Sequence, residues 1–389
     1  MDAASSELLP LIYWNLRDVA RGDDELQALR SAYLVAWGKH AIRARRLEEA
    51  AARLASERIQ TIALKGLALA LQYYPDPATR VTGDIDVLIR REDVDRALQI
   101  LAEQGWLPDP GRGSRLAQAM QVAHGLHLLG PDGDSLDLHW RIFLGAVEEE
   151  AYAGFWDRAV VIPHAASGAL RALGPADQVL HACVHGLKWS AMPSCRWVAD
   201  VVMIVGAAGP ALDWSQLVQS AREHRVDFRV GHALSYAADR FGVVVPEEVR
   251  RALFGRGASW GSRLELTIVT HSPYVWGPVS AAAKAYVLYR RSGFRALHVS
   301  RAVGLARYLQ ERWALRSPWL VPVFGVREIL RTALRGLVDR WGEGPLRRPR
   351  NRQAAASRRA PSPRHKGARN SSSRHGGKGL RRENPQSWE

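Results

Sequence analysis

The sequence predicts an α+β fold: a small mixed β-sheet flanked by helices, followed by an all-helical domain and a disordered basic C-terminal tail. Three observations lead there. Strand-like alternation is confined to the first 170 or so residues, helical periodicity dominates from about Gly174, and after Trp341 the chain turns to Pro, Gly, Ser and Arg. A chain of 389 residues with 47% hydrophobic content is long enough for two compact domains.

Residues 24–58 place Leu26, Leu29, Tyr33, Trp37, Leu47, Ala51 and Leu54 at helical spacing, with Arg and Glu on the other faces, which predicts one long helix or two shorter ones. "QTIAL" (60–64) reads as a short strand running into Lys65-Gly66, and "LALALQYY" as a helical stretch. The prolines of "YPDPATR" mark a loop before the alternating strand "DIDVLI". "REDVDRALQILAEQGW" has an acidic start, apolar Val94, Ala97, Leu98 and Leu101, and Gly105 just past its end, a full helix signature. "QVAHGLHLLGPDGDSLDLHWRI" predicts two strands around a Gly-Pro-Asp-Gly-Asp turn. Helices are then expected over 176–189, 194–206, 214–223, 229–241, 280–292 and 296–313. The expected organisation is an N-terminal helical segment (1–58), a sheet domain (59–170), a helical domain (171–344) and a tail (345–389).

Composition narrows the function classes. Cys183 and Cys195 make neither a disulfide framework nor a paired zinc motif, so a reducing, cytoplasmic location is expected. "MDAASSELLP" carries acids where a signal peptide needs a positive head, and the longest apolar stretches, "WVADVVMIVGAAGPAL" and "WLVPVFGV", are too short or too interrupted for the roughly 20 residues of a membrane span. The net charge is +15, but residues 345–389 hold 13 Lys or Arg against 2 Glu, so most of the excess sits in the tail. That tail is too poor in apolar residues to offset the entropy of ordering. It offers a basic surface for nucleic acid, although its one aromatic residue, Trp388, gives little for bases to stack on. Arg327, Arg331 and Arg335, four apart, would likewise suit an anionic surface.

The chemistry concentrates in "RVTGDIDVLIR" (80–90). Alternation along a strand puts Asp84 and Asp86 on one face, where two carboxylates repel each other unless a cation stands between them. Mg²⁺ is held by one or two carboxylates plus substrate phosphates, so the pair asks for a metal and a phosphate-bearing ligand. A third acid, Asp137 in "SLDLHW", shares a face with His139 and Arg141, opposite Leu136, Leu138 and Trp140. Beside the Asp84 strand it would give three carboxylates on one patch, enough for two ions in an in-line phosphoryl displacement.

These residues carry a resemblance. "LKGLALALQYYPDPATRVTGDIDVLIRREDVDRALQILAEQGW" followed by "LDLHW" resembles the uncharacterised nucleotidyltransferase family of the DNA polymerase β-like superfamily, over roughly residues 8–245. The resemblance implies a small mixed sheet flanked by helices with an all-helical domain behind it. It implies Asp84, Asp86 and Asp137 as metal-binding and catalytic residues, Mg²⁺ or Mn²⁺ as cofactor, and an NTP, such as ATP, as co-substrate. The reaction implied is transfer of an NMP group to an unidentified acceptor, a small molecule, sugar, peptide or protein, with release of pyrophosphate. Where the wider superfamily carries Gly-Ser in its phosphate loop, this chain has Lys65-Gly66: Gly66 lets backbone amides approach a phosphate and Lys65 supplies a charge. Arg80, His185 and Lys188 are further candidate nucleotide contacts, with His181, His185 and Lys188 on one helical stripe. Against these stand plainer roles: a surface Arg80, a packing role for His181 and His185, a His139 satisfied within its sheet, and an Asp200 paired with Arg196. Two other functions remain in play: a nucleotide-binding or scaffold protein of the same fold without turnover, and nucleic-acid binding through the tail.

Overall fold

The computed structural model describes residues 6–19, 24–110, 123–143, 152–162, 170–187, 194–255, 260–270, 286–287, 289, 301–313, 315–327 and 330. All of them belong to one unit, Met1–Val338. The tail, Lys188 and most of the helix expected over 280–292 lie outside the described residues.

Seven strands form one mixed sheet among the described residues: β1 (Ile62–Leu64), β2 (Ile85–Leu88), β3 (Leu107–Pro108), β4 (Gly125–Leu129), β5 (Ser135–His139), β6 (Val160–Val161) and β7 (Arg171–Ala172), in the spatial order β3-β4-β5-β2-β1-β7-β6. The expected hairpin is β4-β5, antiparallel with His127 opposite Asp137. Its turn is closed by Gly130 N–H to the Asp134 carbonyl at 2.8 Å, with Gly133 at φ +80°, a conformation that a side chain would strain. At the centre β2 runs antiparallel to β1 and parallel to β5, which sets Asp86 opposite Leu64 on one side and Asp137 on the other. The expected sheet was smaller: β3, β6 and β7 are two residues each, too short for alternation to register.

Helix α1 (Leu9–Leu16) precedes the long α2 (Asp24–Ser56), and α3 (Lys65–Tyr73) follows β1. The helix after β2, α4 (Val94–Glu103), ends as its sequence predicts: Gly105 takes φ +83° and the Trp106 N–H returns to the Leu101 carbonyl at 2.9 Å. A short α5 (Ala153–Asp157) leads to α6 (Pro175–Gly186), α7 (Arg196–Ala208), α8 (Trp214–Glu223), α9 (Asp227–Phe241), α10 (Glu247–Phe254), α11 (Trp260–Thr270) and α12 (Arg301–Arg312). Helix α1 falls in the helical segment expected over 1–58, whereas α5, α10 and α11 are not among the expected elements. Helix α10 is a two-turn piece, and α11 ends in "LTIVT", whose β-branched residues weaken a helical reading.

Alternation along the strands divides the core. Ala63, Ile85, Val87, Ile89, Leu136 and Leu138 face one way and pack with Leu47, Ala51 and Leu54 of α2 and Ala97, Ile100 and Leu101 of α4. Ile62, Leu64 and Leu88 face the other way, onto a core that continues through α6, α7, α8 and α9. Helix α6 is the hub of that second core, buried without interruption from Ala176 to Val184. Asp86 lies between Ile85 and Val87, so it must point to this second side, where the β2 end of the sheet meets the helices.

Candidate active site

Asp86 is 3% exposed and sits in a ring of donors. Its Oδ1 accepts from Lys65 Nζ at 2.5 Å and lies 2.9 Å from His139 Nε2. Burial by itself would raise the Asp86 pKa, but the Lys65 charge and the His139 hydrogen bond outweigh it and hold the carboxyl well below its usual range. Asp137, directly across from Asp86 on β5, is half-buried and bonds His127 Nδ1 at 2.6 Å. Asp86, Asp137 and His139 offer three ligand atoms that all lie within 4.8 Å of one another. His139 Nδ1, buried, has no hydrogen-bond partner among the described residues. Gly125 lies beside this nitrogen, and a Cβ there would come within 3.0 Å of it.

Asp84 stands just before β2, outside that tight trio but on the same cavity wall. Burial raises its pKa, the Asp86 charge raises it further, and Lys65 opposes both. The loop carrying it is pinned from two sides. Arg43 of α2 donates to the Thr82 carbonyl at 2.6 Å and Arg196 of α7 to the Val81 carbonyl at 3.0 Å. Gly66 lets the start of α3 lie against this loop, because a Cβ at 66 would meet Thr82 Cγ2 at 2.9 Å. Lys65 itself has φ +48°, uncommon for a residue with a side chain, at the first position of α3.

A cavity of about 580 Å³ opens over these groups. Its sheet side is Asp84, Asp86, Asp137 and His139, and its helical side includes His181, His185, Trp197 and Arg229. That volume lies within the range of small-molecule sites. Four of the expected contacts, Lys65, Gly66, Arg80 and His185, line it, together with all three acids. Arg80 is not a free cation, however: its Nε and Nη2 donate to the two carboxylate oxygens of Asp200 at 3.0 and 2.8 Å. Asp200 also accepts from the Tyr74 hydroxyl at 2.7 Å. The expected Asp200–Arg196 pair is therefore replaced by Asp200–Arg80, and Arg196 pairs with Glu7 at 3.0 Å. Helix spacing suggested the local partner; the chain crossing from the 80–84 loop supplies a bidentate one.

The family model of the uncharacterised nucleotidyltransferases matches residues 3–242. The chain belongs to that family. The nucleotidyltransferase match covers the whole sheet, α1 to α8 and all of α9. No curated protein matches the chain. Membership makes it a transferase of the nucleotidyl class by family, with an NTP as the implied substrate. Among the described residues no helix is long and apolar enough to cross a membrane.

Several residues of the nucleotidyltransferase cavity escaped the sequence reading. His124 packs its ring 5.1 Å from that of His139, and burial, reinforced by His139 and Lys65, pushes its pKa down to about 3. His127, which supports Asp137 from outside the cavity lining, could have been found by pairing the hairpin residue by residue, which sets it opposite Asp137. Arg229 and Glu265 come from separate helices and leave no local signal, whereas Trp197 is one of the tryptophans that the sequence offers for packing first and base stacking second.

Proposed function

We propose that this chain is a Mg²⁺- or Mn²⁺-dependent nucleotidyltransferase that moves an NMP group from an NTP to an acceptor and releases pyrophosphate. The observation that carries the reading is the direct pairing of Asp86 with Asp137 on adjacent strands, at the floor of a cavity that also holds Lys65 and Gly66. The donor set fits a divalent ion: two carboxylates and an imidazole within 4.8 Å, with Asp84 on the adjoining loop. Asp84, Asp86 and Asp137 would hold the metal, with His139 beside them. When bound, it would neutralise charge on the phosphates and on the attacking and leaving oxygens.

In this reading the sheet region expected over 59–170 forms the nucleotidyltransferase domain, and the helical domain expected from 171 to 344 supplies, through α6, α7, α9 and α11, the opposing wall that selects the acceptor. Lys65 and Gly66 open the N-terminal turn of α3, where helix geometry leaves backbone N–H groups without intrahelical partners, a natural place for the triphosphate. Asp137, oriented by His127, takes the proton from the acceptor hydroxyl. His185 contributes from the helical wall; Lys188, the other contact expected on its stripe, lies outside the described residues. Arg80 acts on phosphate only through the orientation that Asp200 gives it, or after leaving that carboxylate.

The test is direct. Purified protein is incubated with each α-labelled NTP, Mg²⁺ or Mn²⁺ and a metabolite extract, beside an Asp84→Asn/Asp86→Asn double variant. Label transferred to an acceptor by the native protein alone, with matching pyrophosphate release, is the expected result. Metal-dependent NTP binding without transfer to any acceptor or protein fraction would instead favour a nucleotide-binding role.

A further inference from the structure

Resting on that reading, we propose that Lys65 is an exchangeable counter-ion. It occupies Asp86 while the site lacks metal and transfers to the substrate's phosphates when metal and NTP enter together. Three acids, Asp84, Asp86 and Asp137, line one cavity, and the cation in direct contact with the most buried of them is the Lys65 ammonium, at 2.5 Å. An incoming divalent ion must share Asp86 with that ammonium and is repelled by it. Metal alone is therefore disfavoured as long as Lys65 stays in place.

The same residue is built to move. Its backbone lies at the first position of α3, beside the N–H groups where phosphates would dock, while its side chain reaches across to β2. A lysine is a point charge on a flexible four-carbon stem, so its ammonium can pass from carboxylate to phosphate without displacing the backbone. The side chain is 17% exposed, facing the cavity rather than sealed beneath it. Exchange keeps charge balanced at each stage: the ammonium covers Asp86 in the empty site, and covers phosphate once the metal covers Asp86. The consequence is cooperative entry, with NTP recruiting metal and metal recruiting NTP.

The inference predicts opposite signs for two ligands, which a merely structural lysine would not produce. Lys65→Met keeps the length and removes the charge; Lys65→Arg keeps the charge. Mn²⁺ binding without nucleotide is measured by EPR titration, and binding of a non-hydrolysable NTP analogue with Mn²⁺ by calorimetry. Lys65→Met should bind Mn²⁺ alone about tenfold more tightly and the analogue about tenfold more weakly, with Lys65→Arg near wild type for both. Equal or weaker Mn²⁺ affinity in a Lys65→Met protein with wild-type circular dichroism overturns the exchange, as does unchanged analogue binding. Should Lys65→Met not fold, Lys65→Gln is read by the same criteria. Wild-type protein that binds neither Mn²⁺ nor the analogue defeats the nucleotidyltransfer reading itself, whereas wild-type binding with no gain in the variant defeats the exchange alone.

Discussion

The two faces of the central sheet are cut from the same strands and obey opposite rules. On the face toward α2 and α4, Ile85, Val87, Leu136 and Leu138 are all at most 2% exposed and belong to one hydrophobic core. On the other face the alternate residues begin as Leu88 and Ile62 in a second core and end as Asp86, Asp137 and His139 around a cavity. One residue of displacement along β2 exchanges a packing role for a chemical one. The first face gains by excluding water. On the second, charges are desolvated and then partnered, so stability is given up where binding and chemistry are to occur.

Substitutions that separate the two faces sharpen this contrast. The largest effect belongs to Asp86→Asn, which should lower nucleotidyl transfer at least about a thousandfold, some 4 kcal/mol in the barrier, while far-UV circular dichroism stays native. Residual transfer near the wild-type rate would remove Asp86 from the chemistry. Next comes Leu47→Ala on α2, fully buried on the apolar side. It should cost about 2–5 kcal/mol in urea unfolding, with turnover per folded molecule unchanged; an equal loss of turnover would mean that the two faces are not independent.

Smaller is the effect of Asp84→Asn. Because burial and the Asp86 charge penalise its ionised form, the metal-free variant should be more stable than wild type at neutral pH. The gain should resemble the roughly 0.5–2 kcal/mol typical of relieving a strained functional site, and a lower melting temperature would refute it. The smallest effect tests a buried histidine away from the cavity. His40 is 8% exposed, neither ring nitrogen has a hydrogen-bond partner among the described residues, and burial lowers its pKa below 6.5. A group depressed in this way stays neutral in the fold and takes up its proton on unfolding, so its contribution is lost as pH falls below 6.5. His40→Leu should flatten the decline of melting temperature on acidification from pH 6.5; an unaltered slope would show that His40 is not part of it.

Much of this arrangement was legible in the sequence because it is local. The helix ending at Gly105, the hairpin around Gly133 and the shared side of Asp137 and His139 each follow from periodicity or from one conformationally special residue. What was not legible depends on residues distant in the chain. Asp200 lies four positions from Arg196 on α7, the spacing of a helical ion pair, yet it binds Arg80 from a loop 120 residues earlier. A His139 satisfied within its sheet was legible, but not that its partner is Asp86 on β2 rather than Asp137, two positions away on β5. Strands of two residues and a helix made partly of β-branched residues carry too little pattern to be read alone.

By itself, the sequence determined which side chains can share a face. Backbone geometry sends alternate residues of a strand in opposite directions, whatever surrounds them. Only the tertiary structure decided that Asp86 stands level with Asp137, that Lys65 and His139 close on the same oxygen, and that α6 and α7 roof the result. The register of a parallel strand pair and the choice of counter-ion are set by packing between segments far apart in the chain, and no local pattern encodes them.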